Sequence, residues 1–147
     1  MKDVALTDGD RRVVVVAVDK GEDAVAAINE VAERYRIRGA RVTAVGAFES
    51  AELGYFDREK RDYLRIPVTE QAEVLSLVGD VADHEGKAVL HVHAVLGRRD
   101  GTTVGGHLLY GKVWPTLEVI ITEVGASLIK RVDQESGLPL MTGAIQR

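Results

Sequence analysis

The chain has 147 residues, of which 46% are hydrophobic and 29% are charged, and it contains no cysteine. This length predicts a single domain over residues 1–147, and the lack of cysteine excludes disulfides, thiolate metal sites and cysteine nucleophiles. The formal net charge of −4 argues against a protein that binds nucleic acid mainly through phosphates, because such proteins usually carry a basic face.

The first two predicted elements are a strand and a helix. Residues 12–18 are short, β-branched and without helical period, which is typical of a buried strand. Asp23 can cap a helix that continues to about Ile37 with apolar residues at helical spacing. Gly39 is a natural C-cap for this helix.

The apolar run at 13–18 is the longest in the chain. It is far shorter than the roughly 20 residues that cross a bilayer, so we expect no membrane association. The N-terminal segment has no secretory pattern, and we therefore expect a cytoplasmic protein.

Segments with strand character make up most of the remaining chain. Residues 70–83 are compatible with both a helix and a strand, and this alternative stays open. Asp100-Gly101 indicates a hairpin turn, and residues 133–147 predict mostly turns with a short strand at most. One helix and many strands, several of them hairpin-linked, predict an α+β fold with a mostly antiparallel sheet. The predicted strands are 40–56, 63–68, 88–96, 103–113, 117–124 and 125–132.

Three histidines are predicted to converge in the second half of the chain. His91 and His93 are two residues apart in one strand, so both side chains project from the same face. If the hairpin turns near residue 100, paired positions sum to about 200, which places His93 opposite His107. Directly opposed Cβ atoms lie roughly 4.5–5.5 Å apart, so the three rings share one small patch.

Imidazole nitrogen is a good ligand for zinc and for other divalent ions of borderline softness. Three protein ligands leave a fourth position open, which is the arrangement of catalytic zinc sites. The residues alone are equally compatible with ordinary polar strand histidines. We therefore carry a zinc site on His91, His93 and His107 as a hypothesis beside that alternative.

Other candidate residues are fewer. Glu118 and Glu123 follow the histidines on a predicted strand, and either could act as general base for a metal-activated water. We favour Glu118, because it is closer to the histidines in sequence. His84 lies in a charged turn and is expected to be solvated. A group of arginines at 34, 36, 38 and 41 is best interpreted as the basic end of the helix.

Five motifs occur in an order that resembles the plants-and-prokaryotes conserved (PPC) domain family, and the resemblance extends over about residues 13–140. It implies an α+β fold with an antiparallel sheet and a trimeric assembly. Some members resemble metal-site proteins with histidines at positions that match His91, His93 and His107. The motifs are Val45-Gly46-Ala47-Phe48, Leu53-Gly54-Tyr55-Phe56-Asp57, Leu77-Val78-Gly79-Asp80, His91-Val92-His93-Ala94-Val95-Leu96-Gly97 and Gly105-Gly106-His107-Leu108.

The resemblance leaves two functions from different classes. In plants the domain accompanies AT-hook motifs that bind DNA, but the Arg-Gly-Arg-Pro core of that motif is missing here. Stand-alone prokaryotic members are commonly labelled predicted DNA-binding proteins. The first hypothesis is therefore a homotrimeric assembly domain with a zinc site and a regulatory or DNA-associated role. The alternative is a metal-dependent enzyme that uses a zinc-activated water on an unknown small molecule.

Overall fold

A computed structural model describes residues 1–146 of the protein. Within this range the chain forms one helix, α1 (Ala24–Arg34), and nine strands that belong to a single sheet. The strands are β1 (Lys2–Asp8), β2 (Arg11–Asp19), β3 (Gly39–Asp57), β4 (Asp62–Val68), β5 (Ala72–His84), β6 (Lys87–Gly97), β7 (Thr103–Glu123), β8 (Ala126–Val132) and β9 (Pro139–Gln146).

The sheet is antiparallel at nearly every pairing. The strand order is β1-β2-β7-β3-β5-β8-β9, with β4 paired to β3, and β6 paired to both β5 and β7. Among the described residues, the one parallel pairing joins β5 to β8 at Asp83 and Ile129. Because β7 pairs with both β3 and β6, the strands β3, β5, β6 and β7 close on themselves. The predicted α+β fold with a mostly antiparallel sheet is confirmed.

The two longest strands bend at identifiable places. In β3, Gly46 has a φ of +151° and lies where the register with both neighbouring strands shifts. In β7, Pro115 lies between Val113 and Leu117, in a bulge opposite β3, where a residue without an N–H is tolerated. The segments 103–113 and 117–124, predicted as two strands, are therefore parts of one.

Helix α1 begins where the sequence predicts and ends earlier. The Asp23 carboxylate accepts hydrogen bonds from the backbone N–H groups of Val25 and Ala26. Tyr35 is the C-cap, and Arg36 turns the chain with a φ of 54°. The prediction of Gly39 as C-cap is wrong. Gly39 begins β3, and a Cβ there would lie 1.9 Å from the Ala126 carbonyl oxygen, so glycine allows the close approach of β8.

The hydrophobic core lies between α1 and one face of the curved sheet. Ile28 and Val31 of the helix are fully buried there, as are the alternating residues Val14, Val16 and Val18 of β2. The opposite face, called the open face below, has no layer above it among residues 1–146. It exposes apolar side chains of β1, β2, β3, β5, β6 and β7, namely Val4, Leu6, Val15, Val45, Leu75, Val78, Val95 and Ile120.

Three segments complete the comparison with the sequence prediction. Residues 70–83 form strand β5 rather than a helix. Strand β1 was not predicted, and β9 is longer than the short strand expected near the C-terminus. No helix within residues 1–146 has the length and apolar character needed to cross a membrane.

Candidate metal centre

The histidine strand β6 presents two different faces. Val92, Ala94 and Leu96 point into the core, whereas His91 and His93 point to the open face. The turn between β6 and β7 closes with two hydrogen bonds, from the N–H of Arg98 to the carbonyl oxygen of Thr102 and from the N–H of Gly101 to the carbonyl oxygen of Arg98. This turn sets the register of the two strands. His93 is directly opposite His107. The predicted register is therefore confirmed.

The three imidazoles meet at one point. The Nε2 atoms of His91 and His93 are 3.2 Å apart, and one nitrogen from each of the three rings lies within 4.8 Å of the others. Two ligands at 2.0–2.1 Å from a tetrahedral zinc would be separated by about 3.3–3.4 Å, close to the observed spacing. The cluster could thus hold a metal ion with small movements of the side chains.

Two glycines let the backbone carry the rings this close together. A Cβ on Gly79 of β5 would lie 1.9 Å from the carbonyl oxygen of His91, and one on Gly106 would lie 2.8 Å from the carbonyl oxygen of Gly54. Any larger residue at either position would push its neighbouring strand away. The glycines therefore allow β5 to lie close against β6, and β3 to lie close against β7.

His107 is the most enclosed of the three candidate ligands. Tyr63 stacks on its ring with centroids 4.8 Å apart, and its Nδ1 is buried without a hydrogen-bond partner among residues 1–146. Burial, together with the nearby His91 and His93, lowers the pKa of His107 to about 4. The ring is therefore neutral at physiological pH, which is the form that binds a metal.

A buried ion pair lies behind His91. The Lys130 side chain is 2% exposed, and its Nζ is 2.7 Å from Oδ1 of Asp80. The other carboxylate oxygen of Asp80 is 3.7 Å from Nδ1 of His91. Burial and the positive charge of Lys130 lower the pKa of His91, against the opposing effect of Asp80. A carboxylate behind a ligand histidine is the usual means of fixing ring orientation at metal sites.

Sequence reasoning missed both Asp80 and Lys130. Asp80 belongs to one of the family motifs, but its place beside the histidine cluster follows from its pairing with His91 across β5 and β6. That pairing could be found only once 70–83 was known to be a strand. Lys130 comes from β8, whose contact with β5 has no local signature in the sequence.

The structure does not bring Glu118 or Glu123 to the histidines. Glu118 is exposed on the open face of β7, two residues before Ile120. Ile120 begins a row of paired residues that runs across the sheet through β3 and β5 to β6, namely Thr43, Val78 and His93. Measured along the curved sheet, three strand spacings of about 4.8 Å, or roughly 14 Å, separate Ile120 from His93 in this row. Glu123 forms an ion pair with Arg12 at 2.8 Å. The general-base role of Glu118 stays a prediction.

His84 and the arginine group lie outside the cluster. His84 is half-buried, with Nδ1 3.2 Å from the Lys130 carbonyl oxygen, so the prediction of a solvated side chain is wrong. Arg34 pairs with Asp3 and Glu30, and Arg38 pairs with Glu33 and Asp83. Two of the arginines at the helix end are thus neutralised within the chain.

Fold and site together define a class of protein: a curved antiparallel sheet over one helix, with three strand histidines at the edge of its open face. The sequence assigns the chain to a family within this class. Residues 6–125 match the Plants and Prokaryotes Conserved (PCC) domain, which is also abbreviated PPC, and the chain belongs to that family.

Solved structures of similar proteins agree with this assignment. The metal-containing protein AF0104 of Archaeoglobus fulgidus is 35% identical, with a TM-score of 0.81 over 89% of this chain and 93% of that one. A plant- and prokaryote-conserved protein of Pyrococcus horikoshii is 28% identical, with a TM-score of 0.84 over 94% and 98% of the two chains. A protein of Bacteroides thetaiotaomicron, described as a candidate DNA-binding protein, shares the fold at 21% identity, with a TM-score of 0.86 over 95% and 96%. No curated protein matches the chain.

Proposed function

We propose that this chain is a homotrimeric, cytoplasmic PCC-domain protein that holds one zinc ion per chain on His91, His93 and His107. The convergence of three imidazole nitrogens within 4.8 Å carries the proposal. Zinc is the ion that a set of neutral imidazoles with an open fourth position favours. The likeness to a relative described as metal-containing supports it.

Elemental analysis of the zinc-loaded, dialysed protein tests the metal site. We expect about one zinc per chain in the wild type and in His84→Ala, because the ring of His84 points elsewhere. We expect His91→Ala, His93→Ala and His107→Ala to lose most of the ion. Equal zinc in the wild type and His93→Ala, or none in any sample, would remove the proposal.

The homotrimer is supported by the open face. Its apolar residues are between 37% and 54% exposed, and contiguous apolar surface of this kind marks an association site. His93 pairs with Val78, which belongs to this face, so the histidine cluster borders the surface that a second copy would cover. The trimeric number itself comes from the family resemblance.

Light scattering at micromolar concentration tests the assembly. We expect a trimer for the wild type and a monomer for Val78→Glu, because burying an unpaired carboxylate opposes association. Val124→Glu is the matched control, since Val124 is 44% exposed against 53% for Val78 and lies between β7 and β8, outside the strands of the open face. A monomeric wild type, or a Val78→Glu variant that assembles normally, would contradict the assembly.

A DNA-associated role is the weaker part of the proposal. The net charge is −4, and Arg34 and Arg38 are engaged by carboxylates. We therefore expect little sequence-specific DNA binding by this chain on its own, and any regulatory role would act through its partners. Fluorescence anisotropy with duplex DNA at physiological salt checks this. A submicromolar, salt-sensitive affinity would prove the expectation wrong.

A metal-dependent enzyme is the second candidate, and the open coordination position of a three-histidine site favours it. Within one chain Glu118 does not join the histidine cluster, so a general-base role for it requires a site shared between subunits. Turnover of a small-molecule ester library by the zinc-loaded protein separates the two functions. Hydrolysis that disappears in both His93→Ala and Glu118→Gln would favour the enzyme.

A further inference from the structure

A small cavity opens beside the histidine cluster, and we propose that it binds a small organic carboxylate with an apolar tail. The inference rests on the proposed metal site, because the ion supplies part of the charge that attracts the ligand. The cavity has a volume of about 210 Å³. This equals the volume of roughly seven water molecules in the liquid, enough for a ligand of the size of hexanoate.

The walls of the cavity suit an apolar tail. Most of the lining is hydrophobic, and the strongly polar side chains in it are Lys130 and two members of the cluster, His91 and His107. Ligand sites typically combine an apolar wall with a few polar groups that fix the orientation of the ligand. The hydrophobic and aromatic residues of the wall are Tyr63, Val89, Leu90, Leu138, Pro139 and Leu140.

Lys130 supplies a buried hydrogen-bond donor in this wall. Its ammonium group carries three N–H donors, and Asp80 is its one partner among residues 1–146. Donors therefore remain for a further acceptor, and a carboxylate oxygen is a strong one for an ammonium group. Lys130 is close enough to His91 and His107 for its charge to act on both rings. An anion at this place would contact Lys130 and the histidine cluster together.

The charges around the cavity favour an anion. Asp80 and Lys130 cancel each other, so a divalent ion on the cluster would leave an excess of positive charge. In a partly dry cleft such an excess attracts anions more strongly than it would in water. No arginine lines the described part of the cavity, so it lacks the forked donor group that commonly binds phosphate. A carboxylate with an apolar tail satisfies both the charge and the walls.

Calorimetric titration of the zinc-loaded full chain tests the ligand class. The probes are hexanoate, acetate, which lacks the tail, and 1-hexanol, which lacks the charge. We expect hexanoate to bind at least about tenfold tighter than either, because its buried methylene groups add to the affinity of the charged end. Equal affinity for acetate would show that the tail is not bound, and equal affinity for 1-hexanol would show that the charge is not used. Either result overturns the inference.

Variants locate the binding. Leu140→Glu places a carboxylate in the cavity wall, and Ile145→Glu makes the same charge change on the same strand outside the cavity. Both positions are exposed, at 43% and 64%, so both variants should fold. We expect Leu140→Glu to weaken hexanoate binding about tenfold or more, and Ile145→Glu to change it less than about twofold. Equal binding by the two variants would overturn the inference.

Lys130→Met removes the ammonium group and should reduce hexanoate binding about tenfold while the zinc content is retained. If this variant does not fold, because Asp80 loses its partner, the comparison of Leu140→Glu with Ile145→Glu decides. Elemental analysis of each sample separates the two claims. Protein that holds zinc on the histidines without preferring hexanoate overturns this inference alone, whereas protein that takes up no zinc overturns the metal site and this inference together.

Discussion

The two faces of β6 have opposite chemistry within one strand. Val92, Ala94 and Leu96 are at most 2% exposed and pack into the core, whereas His91 and His93 lie on the open side beside His107. The alternation of side chains across a strand produces this difference without any change in the backbone. The core face should therefore determine the stability of the fold, and the histidine face should determine metal binding.

The same comparison explains why the site is precise. A ligand on a strand whose other face is close-packed cannot shift without disturbing the core. Gly79 and Gly106 add to this by bringing the neighbouring backbones against the histidine strands. A binding site on a rigid element of this kind holds its geometry better than one on a loop.

The largest effect should come from the core face. Leu96→Ala removes a fully buried side chain and should lower the free energy of unfolding by about 2–5 kcal/mol, because it leaves a cavity. Zinc per folded chain should stay unchanged, since the histidines are on the other face. Urea denaturation and elemental analysis of the same sample check both parts. Loss of zinc from folded Leu96→Ala would show that the two faces are not independent.

A smaller effect is expected from a substitution of the carboxylate that lies behind His91. Asp80→Asn removes the carboxylate next to His91 and should weaken zinc binding about tenfold, in the range measured for groups that orient ligands. Asp83→Asn is the matched control, because Asp83 lies on the same strand and pairs with Arg38 instead. Competition with a chromophoric chelator measures both affinities. A similar loss in the two variants would point to a general effect of charge on β5.

His107 should make the stability of the metal-free protein depend on pH. The pKa of His107 is lowered to about 4 from an ordinary value of 6.5, so the unfolded chain binds more protons than the folded chain between these values. The free energy of unfolding should therefore fall as the pH drops from 6.5 to about 4. His107→Gln should reduce this fall, which urea denaturation at several pH values would show. An unchanged pH dependence in the variant would mean that His107 is not the group responsible.

The smallest effect on stability should come from a substitution on the histidine face of the metal-free protein. His93 is exposed, so His93→Ala should change the free energy of unfolding of the metal-free protein by less than about 0.5 kcal/mol. Zinc should stabilise the wild type and leave this variant unaffected, because ligands stabilise only the state that binds them. Samples must be compared at equal protein concentration, since assembly also contributes to stability. A large loss in metal-free His93→Ala would assign the ring a structural role.

Local sequence signals were sufficient for the histidine hairpin. Asp100-Gly101 fixed the turn, the turn fixed the register, and the alternation of side chains placed the histidines on one face. The start of α1 followed from Asp23 in the same way. In each case the determining contact joins residues close in the chain, so the pattern is visible without the fold.

The parts that were missed depend on contacts distant in sequence. Strand β1 is largely exposed and is defined by its pairing with β2, and β5 becomes a strand because β3 and β6 flank it. The Asp80–Lys130 pair joins β5 to β8 across 49 intervening residues, and no spacing pattern in the sequence indicates it. Strand propensity and hydrophobic periodicity do not predict such contacts, because tertiary packing determines them.

X-ray absorption spectroscopy at the zinc edge of the loaded wild-type protein tests the central claim most directly. The account predicts a first shell with three imidazole nitrogens at about 2.0–2.1 Å and one oxygen ligand from solvent or from an added carboxylate. Loaded Asp83→Asn should give the same spectrum as the wild type. A shell made of oxygen alone, or one that keeps all its imidazole scattering in His93→Ala, would contradict a metal site on the histidine face of β6.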